Sequence, residues 1–173
     1  MSRKPRPVTR IPRPGIPNPG EGKRGSEGYL GYLVRQASVA VRGAMERSLA
    51  DIGVTPPQFA VLTMIVAYPG VSGAGLARLT FLTPQTINVI VRNLERTGAI
   101  AKTAHAEHGR ILQLGATSRG VALLKQCRAR VGRVEKAIAG LAGPAEEKSV
   151  RRWLSAVAAK LAEGKLAKGR AGG

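Results

Sequence analysis

LTPQTINVIVRNLERTG, residues 82–98, carries its own start and stop signals, and the two sides of the helix between them decide how the chain is read. Thr83 followed by Pro84 is an N-cap with proline at the first helical position, and Gly98 after Arg96 and Thr97 is a C-terminal stop. The spacing predicts a helix of about four turns. At ~100° per residue, Ile87, Ile90, Val91 and Leu94 share one face, and Gln85, Asn88, Val89, Arg92 and Arg96 the other. A face that is only solvated mixes Glu and Lys in i,i+4 pairs, whereas this one offers two amides and two guanidinium groups, with Glu95 the only acid nearby. Gln and Asn can pair bidentately with adenine, Arg with guanine, and an exposed Val can touch a thymine methyl. The plain alternative is an amphipathic core helix.

The rest of the composition narrows the field. The 173 residues can bury one real core, and 43% apolar content with only 3% aromatics predicts one built from Leu, Val, Ile and Ala on helices. Lys and Arg number 28 against 10 Asp and Glu, a net charge of +18, which points to a polyanionic partner. No apolar run reaches the roughly 18 residues that span a bilayer, and the start of the chain has no apolar signal region, so a cytoplasmic location is expected. Cys127 is the only cysteine, which leaves no intramolecular disulfide and no Cys-rich zinc site. Its helical spacing predicts a small buried or half-buried side chain.

Residues 1–28 hold six of the eleven prolines and seven basic residues against two acids, and read as a disordered basic arm. Residues 164–173 form a short basic tail. The body, 29–163, keeps a surplus of ten positive charges, so its charge is not a property of the tails alone. Within it a helical repeat runs from Tyr29 to Asp51 through Leu30, Leu33, Val34, Ala37, Val41, Ala44, Met45 and Leu49. A second helix begins after Thr55 and carries Phe59, Leu62, Met64, Ile65 and Val66. Ser72 caps a short third helix bearing Leu76 and Leu79, and the Phe81–Leu82 turn leads into 82–98. Next, "AIAKT" (99–103) and "RILQL" (110–114) predict two strands around an exposed tip, "AHAEHG". Two helices follow. Thr117 to about Leu141 has Val121, Leu124, Val131, Val134 and Ile138 inward, and Pro144 to Leu161 has Val150, Leu154, Val157 and Leu161 inward.

Other motifs carry little. His105 and His108 form H-x-x-H, but only Glu107 is nearby as a supporting acid, and a polar pair at the hairpin tip is preferred to a metal site. "GVSGAG", Gly70 to Gly75, lacks the Gly-Lys-Ser/Thr ending of a phosphate loop. Two His, one Cys and ten scattered acids assemble no triad, carboxylate pair or cofactor fingerprint, so neither an enzyme nor a bound cofactor or metal is expected.

The order helix, helix, helix-turn-helix, hairpin, long helix, helix resembles the MarR family of bacterial transcription regulators over roughly residues 29–163. The likeness rests on "GVTPPQFAVL", on "LARLTFLTPQTINVIVRNLERTGAI" and on "HGRILQLGATSRG". In the wing, the family's Arg and its Thr-x-x-Gly exit are matched by Arg110, Thr117 and Gly120, while its Asp and Leu are replaced by His108 and Ala116. The resemblance implies a mainly α fold with a small β hairpin. A winged helix-turn-helix would span about 54–116, flanked by dimerisation helices at about 29–51 and 117–163. Thr83, Gln85, Thr86, Asn88 and Arg92 would lie near bases and phosphates in a major groove, with Arg110 and His105 or His108 at the adjacent minor groove. Ser72, Pro84 and Val89 complete the DNA-contact set. The partners implied are double-stranded DNA bearing an inverted repeat, a second copy of the chain, and an effector such as a small aromatic acid or its coenzyme A thioester. Tyr32, Arg35, Gln36, Val39, Phe59 and Thr63 are the candidate effector residues, since they combine apolar lining with a possible anion partner on the first two helices. The leading expectation is a homodimeric, ligand-responsive repressor. The alternatives are a nonspecific or architectural DNA-binding protein without a small-molecule switch, and a module using helix 82–98 in a protein groove.

Overall fold

A computed structural model describes residues 15–104 and 112–162. The chain divides into two compact units after Val41. In the first, residues 15–28, the described part of the expected arm, form turns and a 3-10 turn at Gly22–Arg24, while 1–14 and the expected tail 164–173 lie outside the described residues. A reciprocal clasp explains this local order. Arg24 Nε donates to Gln36 Oε1 (3.3 Å), Gln36 Nε2 donates to the Arg24 carbonyl (3.0 Å), and Arg24 Nη1 reaches the Pro17 carbonyl (2.9 Å). Gln36 belongs to helix α1, Leu30–Leu49, whose last turn tightens into a 3-10 turn at Ala50–Ile52 and stops at left-handed Gly53. Of the apolar residues expected to face inward on α1, only Leu49 is buried, and Leu30 and Ala37 are exposed.

The second unit contains α2 (Pro56–Ala67), α3 (Gly73–Thr80), α4 (Pro84–Arg96), β1 (Ile100–Ala104), β2 (Leu112–Ala116), α5 (Ser118–Ala139) and α6 (Pro144–Ala162). Local chemistry sets the helix starts. Thr55 and Gln58 form a reciprocal capping box at α2, and Pro56 occupies a position whose missing N–H costs nothing. Ser72, Thr83 and Thr117 each accept a hydrogen bond from a backbone N–H three residues on, at α3, α4 and α5.

One core unites Val61, Leu62 and Ile65 of α2, Leu76 of α3, four residues of α4, Ala99, Ile100, Leu114 and Leu124. Val61 was absent from the expected inward set. Helix α2 packs against α3, α4, α5 and β2, so more than one of its sides is covered and a single apolar stripe does not describe it. Leu79 is corrected in the opposite direction: it is 37% exposed, standing about 60° around α3 from the fully buried Leu76. A second cluster joins Leu49, Val54, Cys127 and Val131. Cys127 is buried there, and burial pushes its thiol pKa up. Arg130 grips Asp51 through Nε (2.9 Å to each carboxylate oxygen) and Nη2 (2.6 Å), binding the turn after α1 to α5.

The hairpin pairs Ile100 with Ala116 and Ala104 with Leu112, antiparallel. The described second strand, in register with β1, runs to Ala116, two residues past the expected end at Leu114, while Arg110 and Ile111 lie outside the described residues. Leu114 is buried, and it also exchanges backbone hydrogen bonds with Gly70 and Val71 just before α3, a bridge that no local pattern signalled. On α5, Leu124 and Val131 are buried as expected, but Val121 and Ile138 are exposed. Among the described residues helix α6 buries none, and Val150, Leu154 and Leu161 are each about half exposed. Their predicted inward row therefore has no cover within the described chain. Among the described residues, no single helix is long and apolar enough to cross a membrane.

Candidate nucleic-acid interface

Helix α4 buries Ile87, Ile90, Val91 and Leu94 and exposes Gln85, Asn88, Val89, Arg92 and Arg96. Each buried aliphatic side chain contributes about 1.5–3 kcal/mol. The apolar side therefore fixes the rotation of the helix, and the polar side is carried outward with it. Thr83 ends the turn and starts the helix: its Oγ1 accepts from the Thr86 N–H (3.2 Å) and hydrogen-bonds the Thr86 hydroxyl (2.9 Å). These two hydroxyls thus hold the helix start in shape. Pro84 is exposed at the first helical position.

Further along, Arg92 Nε donates to the Asn88 carbonyl at 3.2 Å, a tether that steers the guanidinium, and among the described residues its two terminal nitrogens donate to no partner. The acid on this helix is committed: Glu95 Oε2 pairs with Lys102 Nζ at 2.6 Å, fastening β1 to α4. Lys102 was not anticipated. It lines a cleft of about 350 Å³ with Asn88 and Arg92, and strand alternation around Ala101 and Thr103 could have singled it out. The Ser72 hydroxyl accepts from the Gly75 N–H at 3.1 Å, so it works as the α3 cap. His105, His108 and Arg110 lie outside the described residues, as does the expected hairpin tip beyond Ala104.

The candidate effector residues divide between the two units. In the first, Tyr32, Arg35 and Val39 are exposed, and the Gln36 amide is occupied by the Arg24 clasp. In the second, Phe59 packs against both buried clusters, and the Thr63 hydroxyl donates to the Phe59 carbonyl at 2.8 Å. The polar groups of Gln36 and Thr63 are thus both engaged by internal hydrogen bonds.

A short helix, a turn, a helix with an amide- and guanidinium-bearing outer face, and a hairpin fastened to it make up a winged helix-turn-helix. A sequence model described as the MarR family matches residues 52–111. The HTH-type transcriptional repressor Rv2887 of Mycobacterium tuberculosis is 36% identical over 126 residues, covering 72% of this chain and 90% of the relative. A crystal structure of Rv2887, a MarR family protein, in complex with salicylic acid superposes with a TM-score of 0.63 at 32% identity, covering 76% of this chain and 98% of that one. Its complex with DNA gives a TM-score of 0.62 at 30% identity, with coverage of 76% and 98%. Fold, element order and relatives agree that this chain belongs to the MarR family of DNA-binding transcription regulators.

Proposed function

We propose that the protein is a homodimeric repressor that reads an inverted-repeat operator and is released by a small aromatic acid or its coenzyme A thioester. The observation that carries the DNA reading is the outer face of α4, where Gln85, Asn88, Val89 and Arg92 stand exposed over a buried row that leaves the helix one orientation. Amides and guanidinium groups match adenine and guanine edges in a major groove, and Val89 matches a thymine methyl. Ser72, Thr83, Pro84 and Thr86 would serve from the two helix starts, with His105, His108 and Arg110 at the wing. Residues 29–163 form the regulator domain in this reading, with 1–28 and 164–173 as basic extensions, acting in the cytoplasm at the nucleoid.

Dimerisation is supported by α5 and α6, where Val121, Ile138, Val150, Leu154 and Leu161 are apolar and exposed in the single chain. Two copies would hold their reading helices about one DNA turn apart. The salicylic acid complex of Rv2887 supports an aromatic acid as effector, with Tyr32, Arg35, Gln36, Val39, Phe59 and Thr63 as the candidate contacts. Such a ligand would act by favouring a dimer whose helices are wrongly spaced for successive grooves.

Selection of bound sequences from random duplex DNA tests the proposal. The expected product is an inverted repeat with a preference of roughly 10³-fold or more over unrelated DNA. Selected pools without symmetry or preference would favour the architectural alternative and end the operator reading. Salicylate and its coenzyme A thioester added to the selected duplex test the switch separately.

A further inference from the structure

The turn between α3 and α4 holds Phe81 in the left-handed region, at φ 56° and ψ 32°. Among the described residues it is the one residue other than glycine with a positive φ. The hydrogen bonds of the turn require this conformation: the N–H groups of Phe81 and Leu82 both donate to the Ala77 carbonyl, a closure that ends a helix on a left-handed residue. Glycine fills comparable positions elsewhere in the chain, at Gly53 (φ 64°) and at Gly98 after α4 (φ 70°). A Cβ crowds the backbone in this region, and for a bulky side chain the conformation is costly.

Packing does not offset that cost. The Phe81 ring is 83% exposed and joins neither buried cluster, whereas Ala77 and Leu82, which the same turn links, pack against the first. A phenyl ring left in water adds a second unfavourable choice at the same position. Glycine would remove both. A local rule broken with no compensation inside the fold marks a position whose side chain works elsewhere.

The surroundings of Phe81 identify its partner. It stands two residues before Thr83, so its Cα lies within about 7 Å of the N-cap of the reading helix. Exposed Thr83, Pro84 and Gln85 follow it, and exposed Arg78 and Leu79 precede it in the last turn of α3. The patch is therefore continuous with the outer face of α4. It is also cationic, since no acid occurs between Asp51 and Glu95. A polyanion with hydrocarbon between its charges suits such a surface better than a protein groove does. We infer that Phe81 is a DNA contact, its ring lying on hydrocarbon of the duplex beside the start of the reading helix. Thymine methyls and deoxyribose carbons are the surfaces of that kind. The inference rests on the operator reading proposed above and adds to it an apolar contact outside α4.

Titration of the selected operator with the full-length protein and with its Phe81→Asn and Phe81→Tyr variants, together with their denaturant unfolding, tests the contact. Asparagine tolerates the left-handed region, so Phe81→Asn removes the ring and keeps the turn. This variant should unfold at the same or a higher denaturant concentration than wild type and bind the operator about tenfold more weakly. Its salt slope should match that of wild type, because a ring releases no counterions. Phe81→Tyr keeps the ring and should bind as wild type does. Uracil in place of thymine separates the two surfaces. A loss at one position that wild type shows and Phe81→Asn does not assigns the ring to a methyl, and the absence of such a loss assigns it to a deoxyribose. Equal operator affinity of Phe81→Asn and wild type would overturn the contact. So would a smaller salt slope, which would trace the loss to displaced cations, and a lower unfolding midpoint, which would give the ring a task in folding. Weaker self-association of Phe81→Asn in sedimentation without DNA would overturn it as well, by giving the ring to a second copy. Wild-type selection that returns no preferred sequence would end the operator reading and this contact together, an outcome distinct from a selected operator that both proteins bind alike.

Discussion

Gly120 lies directly beneath the carbonyl of Ala99, so closely that a Cβ placed on Gly120 would overlap the Ala99 oxygen. The contact joins the first turn of α5 to the residue between α4 and β1. Thr117 reinforces it, its N–H donating to Ala99 O (3.0 Å) and its hydroxyl to Gly98 O (2.6 Å). The Thr-x-x-Gly spacing is thus a packing requirement at the base of the wing. Because the overlap is with backbone, which cannot rotate away, Gly120→Ala is expected to destabilise the fold by about 3 kcal/mol, the upper end of overpacking costs. Urea unfolding would measure it. A loss below about 0.5 kcal/mol, the scale of an ordinary surface substitution, would show that the two segments can separate freely.

The Asp51–Arg130 grip makes a pH-dependent contribution. The Arg130 guanidinium, through its hydrogen bonds and charge, holds the Asp51 carboxyl below its ordinary value of 3.8. A carboxylate whose pKa is lowered on folding stabilises the native state above its unfolded pKa, and that stabilisation is lost as pH falls through the folded value. Asp51→Asn should therefore lower Tm at neutral pH, with the gap to wild type closing only below about pH 4, the carboxylate range. A gap that is constant down to pH 2 would deny the ion pair this role.

Arg92 is expected to carry base preference. Its Nε tether to the Asn88 carbonyl aims the terminal nitrogens outward. Arg92→Ala should cost about 1–3 kcal/mol on the selected operator and relax the preference at one base position. Binding isotherms on single-base operator variants would resolve this. Uniform weakening together with a salt slope smaller by about one would instead mark Arg92 as a phosphate contact.

Thr83 bears on stability and on reading together, because its hydroxyl organises the first turn of α4. Removing that cap in Thr83→Ala should cost about 1 kcal/mol, with Thr83→Ser recovering most of it. Denaturant unfolding of the two variants makes the comparison. Equal losses in both would assign the effect to the threonine methyl.

Much of the site was legible without coordinates. The outer face of α4 follows from residues three and four apart, and its start from Thr83 and Pro84, all within a few turns of chain. Lys102 was missed because its value comes from Glu95, seven residues earlier and on a different element. Gln36 is engaged by Arg24, twelve residues earlier and outside its helix, which no local spacing reveals, whereas the Thr63 hydroxyl turns back to the Phe59 carbonyl four residues earlier in the same helix, a local bond that its spacing allows.

The chain's order of letters determined by itself where the helices begin, which side of α4 turns inward, and the family the protein joins. Caps and amphipathic periods are interactions between near neighbours, and spacing records them directly. Only tertiary structure decided that Val61 is buried while Leu79 is half-exposed, that Leu114 pairs with Val71, and that Arg130 finds Asp51 across 79 positions. Those outcomes depend on where the folded path carries distant segments, and hydrophobic burial has no direction that a local pattern could encode.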